Sequence, residues 1–224
     1  GAIGVSIFLV LSGYGITKSA EKNNFILDNF WKKKFFNIYI PFLICSFGVV
    51  LFLYLIKSAL LFDISKKSDI IMGMFGFPNN PYDPTMWYIS FIFMMYISFW
   101  ISFKLFKRNI YRVIICSVLC LIIGIIGRWI YSDSIGIYLY LSAFPIGVII
   151  ALFDEIIDFL CKLISSYRVI VYIIVILTFE YMSEKSVILY ILLTFLVSLF
   201  AIPVLKRIER LNKEIILIIG RSSY

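Results

Sequence analysis

The chemistry open to this chain is bounded first by a residue it lacks. Histidine does not occur among its 224 residues, and histidine is the side chain that ordinarily moves protons near neutral pH. Neither a Ser-His nor a Cys-His nucleophile can be assembled from these residues, and an Asp-His-His-Cys acyl-relay site is excluded with them. Ser12-Gly13-Tyr14 closes the apolar run that starts at Val5; by itself it reads as a small-residue turn where a span ends, with Gly15 adding flexibility. Lys32-Lys33-Lys34 stands ahead of the aromatic entry to the next apolar run. Such cations either bind a ligand's phosphates or anchor the chain at the headgroups beside Trp31. Trp87-Tyr88 follows a proline-rich stretch; its rings suit the C–H face of a sugar or an interfacial aromatic belt. Arg128 and Glu180 lie within apolar runs, near their ends, where they pair across helices or reach the interface. Reaching out is the stronger reading for Arg128. Cys116 and Cys120 share a helix face, but with no histidine and no acidic partner nearby they read as apolar-face thiols. With Cys45 and Cys161 they form no visible disulfide framework.

Helices in lipid must position these residues. Hydrophobic residues make up 62% of the chain and charged residues 15%, with a mean hydropathy of +1.00. Soluble domains are about half apolar and a quarter charged. A chain this short cannot hide that much apolar surface inside itself, so lipid is the missing solvent. The net charge of +8 does not point to nucleic acid, because the basic residues separate apolar runs instead of sharing one polar face.

The expected fold class is all-α, a polytopic membrane helical bundle. At about 17–25 residues per span, apolar runs fall at 2–16, 38–62, 86–103, 110–130, 135–153, 167–182 and 186–205, and an eighth starts at Ile215. Lipid cannot satisfy free backbone groups, so these runs must be helical. The loops after the first, third, fifth and seventh runs hold fifteen Lys and Arg against three in the loops between them. That alternation places residues 18–37 in the cytoplasm. Residues 154–165, DEIIDFLCKLIS, carry the pattern of a helix lying in the interface, with Ile156, Ile157, Leu160 and Leu163 opposite Asp154, Glu155 and Asp158. Loop 63–85, with the stretch GFPNNPYDPTMWY at its end, is too rich in proline for regular helix. It is the longest external connection, a candidate lid or substrate-side loop.

The opening GAIGVS has neither a basic flank nor a cleavage site, so it is not expected to be a signal peptide. GRSSY stops just inside a new apolar run. A single membrane domain over residues 1–224, cut at both ends, is the expectation. If the intact protein begins in the cytoplasm, an odd number of spans precedes residue 1, most simply one.

The apolar run ending in SGY, the basic loop, Ile38-Tyr39-Ile40-Pro41, Trp87-Tyr88, Phe144-Pro145-Ile146-Gly147 and the terminal G-x-x-S-Y at 220–224 together resemble the acyltransferase-3 family. These are bacterial integral-membrane enzymes that move acyl groups, usually acetyl, onto cell-envelope carbohydrates. The resemblance implies that Ser12, Gly13 and Tyr14 line the acyl-donor path, and that Trp87 and Tyr88 stand at the outer, acceptor-side mouth of a cavity. Two arginines three residues apart usually precede the proline in the family; here Lys34 and Asn37 take their places, with Lys33 beside them. Lysine supplies charge without a bidentate fork, and asparagine supplies neither. For Phe144–Gly147 a packing role in a kinked helix is sufficient explanation. The proposed catalytic histidine would lie on a span before residue 1, so the chain as it stands is expected to be catalytically incomplete.

The implied co-substrate is acyl-coenzyme A, with acetyl-coenzyme A the usual donor, and no bound cofactor or metal is expected. Implied partners are membrane lipid and a cell-envelope glycan or lipid-linked precursor, with no nucleic acid, in the bacterial inner membrane. Two other readings stay open: a transporter or flippase for lipid-linked sugars, and a noncatalytic membrane scaffold. Against the transporter stand the lack of internal repeats and the scarcity of intramembrane charge. The Asn37 departure keeps the scaffold reading alive.

Overall fold

A computed structural model of the protein describes residues 2–55, 87–130, 140–163 and 187–211. Every regular element among them is helical, and no strand occurs there. Among the described residues three helical stretches, Ile3–Lys22, Tyr88–Leu105 and Asn109–Ile126, are long and apolar enough to cross a membrane. All of loop 63–85, the run 167–182, Glu180, the side chains of Trp87 and Arg128, and Gly220–Tyr224 lie outside the described residues.

The first helix, α1 (Ala2–Lys22), does not stop at Ser12-Gly13-Tyr14 but runs through it and beyond the apolar run. The turn expected there is absent. Two features carry the helix onward: good helix formers follow, and Lys18 pairs with Glu21 at 2.9 Å across one turn. Asn24 and Phe25 then enter the left-handed region with φ of 52° and 59°. The Phe25 amide donates to the Ala20 carbonyl at 2.7 Å, and the Asn24 amide to that of Glu21 at 3.0 Å. This closes the helix by a left-handed cap in which asparagine is at home and phenylalanine is strained.

The chain forms two compact units, Ile26–Trp100 and the remainder, Gly1–Phe25 with Ile101–Tyr224. In the first of these, α2 (Phe30–Lys34), a π-helical turn (Phe35–Tyr39) and α3 (Ile40–Leu55) follow without a break. The basic cluster read as loop is therefore helical. Aromatic rings explain this, because they fasten the run to α4 (Trp87–Leu105), which belongs to this unit through Trp100. Phe30 stacks on Phe99 with centroids 6.0 Å apart, Trp31 meets Trp100 at 6.2 Å, and Tyr39 meets Phe93 edge-on at 5.5 Å. Each such pair adds about 0.5–1.5 kcal/mol beyond area burial.

In the larger unit, α1 packs against α6 (Ala143–Leu152) and α8 (Val187–Leu211); α6 also touches α5 (Asn109–Ile130) and α7 (Asp154–Leu163). On α5 one face is buried at Arg112, Cys116, Cys120 and Gly124, four residues apart each time. The opposite side exposes Ile114, Val118, Leu121, Ile122 and Ile125, as a lipid-facing helix must. Cys116 and Cys120 are both buried and neither is in a disulfide, as expected of apolar-face thiols. Of the expected span 135–153 the described part begins at Tyr140 and forms a helix over Ala143–Leu152, so Pro145 sits in its first turn, where its missing N–H breaks no bond. No kink follows from it. On α7, Ile157 and Leu160 are buried and the helix lies against α6 and α8, so protein covers its apolar side instead of lipid.

Candidate functional site

Two sequence features that lie far apart in the chain meet at the crossing of α1 and α6. A Cβ on Gly13 would collide with the Phe144 carbonyl oxygen and stand 3.3 Å from the Val148 nitrogen. Reciprocally, a Cβ on Gly147 would collide with the Val10 carbonyl oxygen and stand 2.9 Å from the Tyr14 nitrogen. Both glycines are required because backbone meets backbone, the means by which small residues bring helices together in lipid. The buried Thr17 hydroxyl donates to the Gly13 carbonyl at 2.7 Å, drawing a polar group into the same crossing. Ser12 and Tyr14 flank the contact, both half-buried. A Cβ on Gly15 would meet nothing within 4 Å. Gly13 therefore holds the helix pair that presents Ser12 and Tyr14, and Phe144–Gly147 is the surface it rests on.

In the unit Ile26–Trp100 the lysines separate by environment. Lys32 and Lys33 are exposed, whereas Lys34 is half-buried with its ammonium 4.8 Å from the centre of the Tyr96 ring. Tyr96 is itself 2% exposed and touches Phe30 edge-on at 6.5 Å and Phe93 at 6.0 Å. The ammonium thus rests on a fixed aromatic floor. Burial holds the Lys34 pKa below the ordinary lysine value of 10.5. Asn37 falls in the middle of the π turn and is exposed. The wider turn carries it away from the position, three residues on, that an α-helix would place above Lys34. The structure therefore does not join Lys34 and Asn37 into one pair.

Trp87 is the first residue of α4 and Tyr88 the second, the latter half-buried. At 1.5 Å per residue, Tyr88 lies about 12 Å along the helix from Tyr96. The acceptor-side candidates and the lysine platform thus occupy different levels of one helix.

Some polar features had no signal in a local reading. The Tyr140 and Tyr190 hydroxyls lie 2.7 Å apart, joining the approach to α6 with the first turn of α8. Fifty residues separate them, so only the fold brings them together. Thr194 and Ser198 are buried on α8 and donate to carbonyls of their own helix, Ile191 at 2.9 Å and Thr194 at 2.6 Å. Arg112, counted by sequence among the loop charges, is 6% exposed. Its signal was the spacing to Cys116, Cys120 and Gly124, which marks the buried face of α5.

The family model for acyltransferase-3, described as an acyltransferase domain, matches residues 1–224. No curated protein and no solved structure matches the chain significantly.

Proposed function

Because the chain belongs to the acyltransferase-3 family, we propose that it is the membrane domain of an O-acyltransferase that moves an acyl group, most simply acetyl, from acyl-coenzyme A to a hydroxyl of a cell-envelope carbohydrate or its lipid-linked precursor. Donor arrives from the cytoplasm, on the side of residues 18–37, in the bacterial inner membrane. Fifteen basic residues on one set of loops against three on the other support that orientation.

The observation that carries the donor side is Lys34. Of the three clustered lysines it alone is half-buried on an aromatic floor, placed to meet a phosphate as a fixed point charge. Lys33 and Asn37, both exposed, add charge and polarity at the rim. Ser12 and Tyr14, presented by the Gly13 crossing, line the path of the acyl thioester. Trp87 and Tyr88 stand on the acceptor side, where aromatic faces suit a sugar ring. In the transfer, the acceptor hydroxyl oxygen forms a bond to the acyl carbon as the carbon–sulfur bond breaks. The hydroxyl proton passes to a base and from it to the departing thiolate. The proposed base is a histidine, and none occurs in this sequence.

The test reconstitutes the intact protein in proteoliposomes with radiolabelled acetyl-coenzyme A and follows thioester consumption. Loss in Lys34→Ala with correct folding places the donor phosphates at this lysine. Unchanged consumption in both Lys34→Ala and Ser12→Ala removes these assignments. No consumption by wild type with several acyl donors overturns the enzyme reading in favour of a transporter.

A further inference from the structure

We infer that Arg112, in the first turn of α5, forms a binding site for a phosphoryl group. Arg112 is 6% exposed, deep for a residue beside a basic loop. Its Nε donates to the Phe106 carbonyl at 2.8 Å and its Nη1 to the Asn109 side-chain oxygen at 3.1 Å. The guanidinium carbon lies 4.0 Å from the centre of the Phe25 ring and 5.1 Å from that of Phe103. Those two rings are 5.8 Å apart and form an aromatic sleeve. A latch between the end of α1 and the α4–α5 turn would account for these contacts. It leaves two things unexplained.

The first is the charge. Among the described residues no carboxylate lies within ion-pairing distance of Arg112, and a buried cation without a counter-ion is costly. The second is Nη2, which has no hydrogen-bond partner among the described residues and is not sealed from solvent there, so its donors are open to a ligand. A guanidinium fixed by two hydrogen bonds and two rings, with further donors left, is prepared for a phosphate's oxygens. The local field has the same sign. The orphan amides of the α5 N-terminus lie beside it, and Lys104, Lys107 and Arg108 stand exposed around the turn. Phe25, one wall of the sleeve, is held at φ 59°.

The phosphoryl group belongs either to a lipid headgroup or to a soluble phosphorylated molecule, and the experiment separates them. The full chain is stripped of lipid in a maltoside detergent. Thermal stability and native mass spectra are then recorded in titrations with phosphatidylglycerol, with a phosphate-free diacylglycerol, and with inorganic pyrophosphate. Saturable binding of phosphatidylglycerol alone assigns the lipid source; saturable binding of pyrophosphate assigns the soluble one. Diacylglycerol should not bind this site. Arg112→Gln is expected to weaken the phosphate-bearing probe about tenfold or more, the scale of a lost charge-assisted hydrogen bond. Arg112→Lys, which keeps the charge without the fork, should fall between. Wild type that saturates with neither probe overturns the site whatever the variants do, and so does wild-type affinity in Arg112→Gln. If Arg112→Gln fails to fold, the wild-type titrations and Arg112→Lys still decide. Binding is read without turnover, so the outcome is independent of the acyl-transfer reading.

Discussion

Gly13 and Gly15 sit two positions apart on one helix and meet opposite surroundings. Alanine at Gly13 would drive a methyl into the Phe144 carbonyl, a backbone atom that cannot swing aside, whereas alanine at Gly15 enters open space. Gly13→Ala should therefore destabilise the protein in detergent by about 1–3 kcal/mol. Gly15→Ala should be neutral or add up to about 1 kcal/mol through helix propensity. Equal melting temperatures for the two variants would remove the crossing as the reason for Gly13. Lys34 makes a prediction of its own. Its pKa is lowered in the folded protein by burial, so over the window between that value and 10.5 the unfolded chain binds more protons. Stability should then rise with pH across that window. Wild type minus Lys34→Gln isolates this contribution; a difference that is flat or falls with pH contradicts the buried placement.

At the scale of elements, rings and small residues do different work. The run from Phe30 to Leu55 is held to α4 by aromatic pairs, and the π turn inside it decides which side chains of the basic cluster share a face. Tyr96 is both a wall of that lattice and the floor under Lys34. Tyr96→Phe should preserve donor affinity, and Tyr96→Leu should weaken it several-fold, measured as the KM for acetyl-coenzyme A in the reconstituted protein. Equal KM values would detach the lysine from its ring. On α7, Leu160 is 5% exposed and Phe159 63% exposed. Leu160→Ala should cost about 2–3 kcal/mol, and Phe159→Ala little, by unfolding in detergent.

For the whole molecule the question is which side of the membrane each end of α1 faces. In the proposed orientation Asn23, just past the end of α1, faces the cytoplasm. In a background without the native cysteines, Asn23→Cys should react with a membrane-impermeant maleimide in inverted vesicles and stay protected in intact cells. The reverse pattern would turn the topology over and move the lysine platform to the outer face.

Composition was enough to indicate a helical membrane chain, because a bilayer leaves few choices for an apolar run: its backbone must bond to itself. The run at 110–130 emerged as α5 and Trp87-Tyr88 as the start of α4 for that reason. Motif order was likewise sufficient for the family. Helix ends were less legible. Apolar content stops where lipid stops, while α1 continues on local pairing and α2 begins on aromatic contacts made across the fold. The roles of individual residues depended most on tertiary structure. Gly13 and Gly147, Lys34 and Tyr96, and Tyr140 and Tyr190 are partners through close approach of distant segments. Arg112 carries the same formal charge as its exposed neighbours, and the spacing to Cys116, Cys120 and Gly124 only marks the face of α5 it stands on. The packing of Phe25 and Phe103 around it makes it a buried cation, because burial is a property of what surrounds a residue and not of the residue itself.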